Sequence, residues 1–394
     1  MHYELFPLKN TLADVKGFFC DGVSAGLKKD GLDVGFIYSD TPFDVAALFT
    51  QNRFQAAPIK HFQRHNITKS NFLLVNSKNA NAMTGERGIE DIEWILEQLG
   101  QKFDIQNPFM SSTGVIGVPL PKEAIAQAAL NFNFAAKRAD RFAQAIMTTD
   151  TFPKSIGFKV ILEDGRSFTI AGVAKGAGMI NPNMATMLCF IATDADIPNE
   201  RMRPLLEKYV GATFNAISVD GDTSTNDSLF LLANKKSDVY DEEAFAFALY
   251  KIMHHLALCI VKDGEGATKV AAFALTGAAN DQEAAVAAKA LTNSLLVKTA
   301  LFGEDPNWGR IASTIGASGV ACDEKTLRIA FEEVVVYDRG EILFDAKREA
   351  AAHEVMKKDQ FTIHCDLGIG DGSFTAYGCD LGYEYVKINA EYRT

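Results

Sequence analysis

Along 241–262 apolar residues recur at threes and fours, at Phe245, Leu249, Ile252, Met253, Leu256 and Ile260, and this spacing predicts an amphipathic helix with one face in a core. Short apolar runs of strand length flank it at 229–232 and 270–275. The same intermixing runs through the whole chain. Helices are predicted over 89–99, where Ile92, Ile95 and Leu99 share a face, and from Pro121 towards Arg138, with proline suited to a first turn. Others are predicted over 199–216, 281–302 and 347–358. Further strand-like runs lie at 34–38, 72–75, 158–162, 187–192, 327–336 and 378–388. Strands and helices do not alternate regularly, so the expected class is a mixed α/β or α+β fold rather than a barrel or a doubly wound sheet.

With 394 residues, 47% of them apolar, the chain can bury more than one core, and its length predicts two or three domains or subdomains. A net charge of −11 argues against a general nucleic-acid or membrane-surface binder, since both need a basic face. It leaves room for a local basic pocket that takes a carboxylate. The start, MHYELFPLKN, lacks the basic opening and apolar core of a secretory signal, and no apolar run is expected to reach bilayer-spanning length. Cys20, Cys189, Cys259, Cys322, Cys365 and Cys379 are scattered without paired spacing, which fits free, mostly buried thiols and a cytoplasmic location.

Three glycine-bearing polar stretches interrupt the scaffold: 111–117 (SSTGVIG), 172–183 (GVAKGAGMINPN) and 263–269 (DGEGATK). A fourth, 218–227 (SVDGDTSTND), is dense in hydroxyls and carboxylates. None has the spacing of a phosphate loop, so nucleotide binding is not expected. Metal catalysis is not expected either. His61 and His65 at i, i+4 could share a helix face, but no third ligand follows at useful spacing, and surface or hydrogen-bonded histidines are the favoured reading. No histidine falls near the Ser/Thr-rich loops, and no G-x-S-x-G elbow is present, which disfavours a His-based triad.

Thr186 stands where the glycine-rich approach gives way to the apolar run 187–192. On spacing alone a threonine opening a strand after a turn is the commoner case. A catalytic threonine needs a base, and its own α-amino group can serve once it becomes an N-terminus. That amine titrates near pH 7.7–8.0 when unperturbed, so a useful fraction is neutral at pH 7. Freeing it requires a break after Ala185, which the same hydroxyl can make by attacking the Ala185 carbonyl. An acyl-transfer site also needs oxyanion donors, and Thr113–Gly114 offers a hydroxyl and a closely approaching N–H, although from local sequence alone a simple turn between strands is the favoured reading.

Taken together the stretches resemble the ornithine acetyltransferases, or glutamate N-acetyltransferases, of arginine biosynthesis. The likeness covers nearly the whole chain and is strongest in KGAGMINPNMATML (175–188), SVDGDTSTND, DGEGATK, GEDPNWGRI (303–311) and YGCDLGYEYVKINAEYRT (377–394). It implies a layered αββα sandwich and self-cleavage into an α chain, 1–185, and a β chain, 186–394, with a C-terminal α/β subdomain from roughly residue 280. It implies Thr186 as nucleophile, Thr113 and Gly114 as oxyanion hole, and substrate contacts from Thr148, Lys175, Thr186, Glu265, Asn389 and Thr394. The implied reaction moves an acetyl group from N-acetylornithine to glutamate, with no metal or organic cofactor and with acetyl-CoA standing as an alternative donor. The implied assembly is (αβ)2 or larger. A self-processing aminopeptidase or amidase of related fold is the rival reading. Within VNSKNANAMTGE (75–86), Lys78 stands where the family pattern carries glycine, and Met83 where it carries a smaller residue.

Overall fold

The computed structural model describes residues 3–181 and 187–391. Among these, nine strands form one mixed sheet and seven form another. The first sheet runs, in spatial order, Tyr3–Pro7, Lys154–Leu162, Ser167–Lys175, Leu188–Thr193, Ser228–Ala233, Val34–Phe49, Lys69–Asn76 and Phe109–Ser112, with Phe18–Val23 paired to the first half of Val34–Phe49. Its centre therefore joins strands from both sides of residue 186. Leu188–Thr193 is antiparallel to Ser167–Lys175 and parallel to Ser228–Ala233, which is in turn antiparallel to Val34–Phe49.

Leu188–Thr193 is buried at every position, as a strand covered on both faces should be. Its alternate residues serve different cores. Cys189 and Ile191 join Ile252, Leu256 and Ile260 of the helix Glu242–Lys262. Leu188, Phe190 and Ala192 join Phe62, Phe109, Phe142 and Phe230 on the other face. The Phe190 and Phe230 rings stack there with centroids 5.7 Å apart. Helix Glu242–Lys262, capped by the Asp241 carboxylate on the Ala244 N–H, is long and apolar enough to cross a membrane. This corrects the expectation that no segment reached that length. Its apolar positions instead fill the core between the first sheet and residues Val270, Ile217 and Cys379 of the second.

The second sheet runs Glu341–Ile342, Val334–Asp338, Arg328–Phe331, Gln360–Asp366, Val270–Ala278, Gly372–Cys379 and Ile217–Ser218. Helices Asp281–Asn293, Leu295–Phe302, Trp308–Ala317 and Ala346–Met356 complete its core.

The mixed α/β class holds, with local corrections. The single helix expected over 281–302 is two, because Ser294 is extended (ψ 115°) and its side chain caps the second at Val297. The run 327–336 is a hairpin of two strands. The helix from Pro121 covers only Lys122–Ala129, and the helix expected over 199–216 ends at Val210 before a 3-10 turn. Residues 378–388 are not a strand: Gly372–Cys379 ends there, and a helix, Tyr383–Glu391, follows. Its Tyr383 and Val386 are exposed, so the apolar alternation was misleading. Helices Ala57–Arg64 and Ala139–Ala145 were not anticipated.

Candidate active site

Loops from both halves of the sequence meet in one cavity, whose lining includes Ile180 and Met187. Residues 172–175, expected in a loop, are the end of strand Ser167–Lys175, and this fixes Lys175 opposite Leu188. The Lys175 ammonium is buried. Its Nζ donates to Thr148 Oγ1 at 2.7 Å and to Thr113 Oγ1 at 3.3 Å, and Asp150 Oδ2 lies at 3.9 Å. Burial pushes its pKa down, and the Asp150 carboxylate works against that shift.

Thr113 and Gly114 follow strand Phe109–Ser112. Gly114 has φ +134°, and a Cβ there would meet the Lys78 carbonyl carbon at 2.2 Å and the Asn79 nitrogen at 2.5 Å. Glycine is required at this point, and the close backbone approach, not an ordinary turn, is the reason. Lys78 itself is left-handed (φ 71°), as is Met83 (φ 58°), so the departure at Lys78 puts a side chain where glycine would be unstrained. Buried asparagines hold this loop. Asn226 Nδ2 donates to Ala80 O at 2.6 Å and to Ser112 O at 2.8 Å, while Asn76 Oδ1 accepts from Ser112 Oγ at 2.6 Å.

The cavity also has acidic lining residues. Glu265 follows helix Glu242–Lys262, is buried, and accepts from Asn389 Nδ2 at 2.7 Å. Gly178 lets that carboxylate lie against the loop, since a Cβ there would sit 2.4 Å from Glu265 Oε1. The stretch 218–227 frames the same loop: Asp220 accepts the N–H groups of Met179 (2.6 Å) and Ile180 (2.8 Å).

Sequence reasoning missed two buried carboxylates. Asp150 accepts Lys154 Nζ (2.7 Å), Gly176 N (2.7 Å) and Thr148 N (3.0 Å). Burial alone would raise its pKa, but Lys175, Lys154 and these bonds hold it down at about 2. Asp227 lines the cavity, and its Oδ2 has no hydrogen-bond partner among the described residues. Burial pushes its pKa well up, eased by the hydroxyls of Ser224 and Thr50, the Lys175 charge and the Met187 N–H. The next residue, Ser228, donates its N–H to Met187 O at 2.9 Å, which ties Asp227 to the start of the strand that follows Thr186.

Thr113, Gly114, Thr148, Lys175, Glu265 and Asn389 thus line one cavity, while Ala185, Thr186 and Thr394 lie outside the described residues. No histidine lines the cavity among the described residues. The same cavity carries a buried cation with hydroxyls and a buried carboxylate, a pairing of charges matched to a small zwitterion.

The ArgJ family model matches residues 19–394. The chain is 62% identical over 395 residues to the arginine biosynthesis bifunctional protein ArgJ of Wolinella succinogenes, covering the whole of both. It is 44% identical over 402 residues to that of Listeria monocytogenes, covering 98% of this chain and 99% of the relative. Among solved structures it is similar to the argJ protein of Bacillus halodurans, with 42% identity and TM-score 0.49 over 52% of this chain and 98% of that one. The ornithine acetyltransferase of Mycobacterium tuberculosis complexed with ornithine matches at 29% identity and TM-score 0.42, over 46% of this chain and all of that one. Identity at this level along the entire length places the chain in the ArgJ family, as an acyltransferase of arginine biosynthesis.

Proposed function

We propose that the chain opens between Ala185 and Thr186 into an α chain, 1–185, and a β chain, 186–394, and that Thr186 then carries an acetyl group from N-acetylornithine to glutamate. The observation that carries this reading is that a buried Lys175 and a buried Glu265 line one cavity, together with Thr113, Gly114 and the start of the strand that Thr186 precedes. Lys175 and Thr148 would receive the α-carboxylate common to donor and acceptor. Glu265, oriented by Asn389, would receive the cationic end of ornithine. Thr394 would close the pocket.

The Thr186 hydroxyl attacks the acetyl carbonyl carbon, and its proton passes to the residue's own α-amine. Lys175 has only protons to offer, so the Thr113 oxygen accepts from it. The Thr113 hydroxyl proton is thereby left to donate to the developing oxyanion together with the Gly114 N–H. Collapse breaks the amide C–N bond, the α-ammonium returns the proton to the departing amine, and an acetyl ester remains on Thr186. The neutral amine of glutamate attacks that ester, gives up a proton to the α-amine, and leaves as N-acetylglutamate while the Thr186 oxygen is reprotonated. Asp227 would hold the ammonium form of the freed terminus, giving its unpartnered oxygen an ion to face. The reading includes a cytoplasmic setting, in keeping with six free thiols, and an (αβ)2 or larger assembly.

The test is intact-mass analysis of the wild type beside Thr186→Ala. Two chains meeting at 185/186 and a 42 Da adduct (one acetyl in place of one hydrogen, about 42 Da by composition) on the second chain after donor is added are expected, against one unmodified chain in the variant. A whole wild-type chain that still transfers acetyl groups would overturn the amine as base. Ornithine release that does not depend on glutamate would favour the hydrolase.

A further inference from the structure

Two histidines on one short helix acquire a partner that their own sequence neighbourhood does not contain. His61 lies in helix Ala57–Arg64 and His65 at its C-cap, with ring centroids 4.5 Å apart. The facing helix, Gly85–Gly100, brings Glu93 against them, and its Oε1 lies 3.1 Å from His65 Nε2. One ligand atom from each of the three residues falls within 4.8 Å of the others. The cluster opens onto a surface groove that Glu97, one turn beyond Glu93, also lines. His61 departs from the expected hydrogen-bonded histidine: it is 3% exposed, and its buried Nδ1 has no partner among the described residues. A ring nitrogen this deeply buried without a hydrogen bond costs stability unless something else occupies its lone pair or N–H.

We propose that His61, His65 and Glu93 bind a first-row divalent transition ion of the zinc or cobalt type, outside the acyl-transfer cavity. The donor set, two imidazole nitrogens and one carboxylate oxygen, suits such ions and is a poor match for calcium or magnesium, which take oxygen ligands. Bonds of about 2.0–2.2 Å put neighbouring ligand atoms roughly 3.4 Å apart in a tetrahedral site. The His65–Glu93 pair is already near that spacing, and both side chains are about half exposed, 46% and 44%, so they can close the remaining distance by rotation. His61 is buried, so the neutral ring that a metal requires is the form its surroundings favour. Three protein ligands leave the groove side for water or Glu97. The ion would tie the two helices together close to the cavity, since Ala56, just before the first helix, donates its N–H to Thr225 O at 2.9 Å, and Thr225 lines the cavity wall.

The test uses the tag-free, full-length protein, stripped of metal with a chelator and titrated with Co2+ and then Zn2+. One equivalent per chain should bind with a micromolar dissociation constant, Co2+ should give visible d–d bands of a nitrogen–oxygen site, and Zn2+ should raise the unfolding temperature. The exposed positions allow variants that keep the fold: His65→Ala and Glu93→Gln should each weaken binding at least tenfold, while His254→Gln, in the adjacent pair on helix Glu242–Lys262, should leave it unchanged. No saturable binding below millimolar metal would overturn the site. Binding that survives both His65→Ala and Glu93→Gln would do the same.

Discussion

Lys154 and Lys175 are both buried and both face Asp150, yet they are treated differently. Lys154 Nζ sits between two carboxylates, 2.7 Å from Asp150 Oδ1 and 2.5 Å from Asp263 Oδ2, and none of the three side chains is more than 2% exposed. Lys175 reaches Asp150 only at 3.9 Å and otherwise bonds two neutral hydroxyls. The first ion set is closed on itself. The second is left incomplete at the cavity, where a ligand carboxylate can complete it. The closed set also aligns the open one: Asp150 holds the N–H groups of Thr148 and Gly176, next to Lys175, and Asp263 holds Thr151 and lies two residues before Glu265. One triad behind the cavity therefore positions the segments that carry both Lys175 and Glu265.

Breaking the closed set should have the largest effect. Lys154→Ala leaves two buried carboxylates facing each other and should cost about 3–5 kcal/mol in urea unfolding. Asp150 adds a pH signature. Its folded pKa of about 2 lies below the unfolded value, so its contribution is full above pH 4 and is lost as pH falls through about 2. The gap between wild type and Lys154→Ala should narrow over that window, and a gap independent of pH would show that the triad is not the cause.

At the cavity the effects should move from stability to rate. Thr113→Val removes one proposed oxyanion donor and should lower kcat by about 10²–10³ while unfolding hardly changes. Lys175→Met should lower kcat/KM for both substrates by roughly 10- to 150-fold, the worth of a charge-assisted bond of about 1.5–3 kcal/mol, with stability kept or improved. A large loss of stability in Lys175→Met would erase the distinction between the two lysines. The smallest effect is expected at Asp227. Its raised folded pKa means that stability is lost as pH climbs above the unfolded carboxylate value. Asp227→Asn should therefore unfold at a higher temperature than wild type at pH 7, by on the order of 1 kcal/mol, and lose this advantage near pH 4. It should also slow the acetyl transfer.

The scaffold was legible wherever one period dominated, as in helix Glu242–Lys262 and the doubly buried run at Leu188–Thr193. It was not legible where a tertiary contact decided the outcome. Asp380 ends the last long strand by accepting the N–H groups of Thr268 and Lys269, and nothing in the local alternation announces this. The same holds at the site. Thr113–Gly114 looked like a turn until the Lys78–Asn79 backbone was found packed beneath it. Asp150 in TTDT and Asp227 in STND have the local character of turn residues, because burial is a property of the packed chain and not of spacing. Glu93 is 28 residues from His65, so only the helix pairing could bring it into view.

Strands Leu188–Thr193 and Ser228–Ala233 are wedged between Ser167–Lys175 on one side and Val34–Phe49 on the other, through two antiparallel seams. A backbone nick between 185 and 186 would leave two polypeptides that cannot be drawn apart without unzipping both seams. Each piece made alone would present raw, sticky edges to solvent. Such a cut would be a one-way event in the life of the molecule: the fragments would be partners only because they were first folded as one.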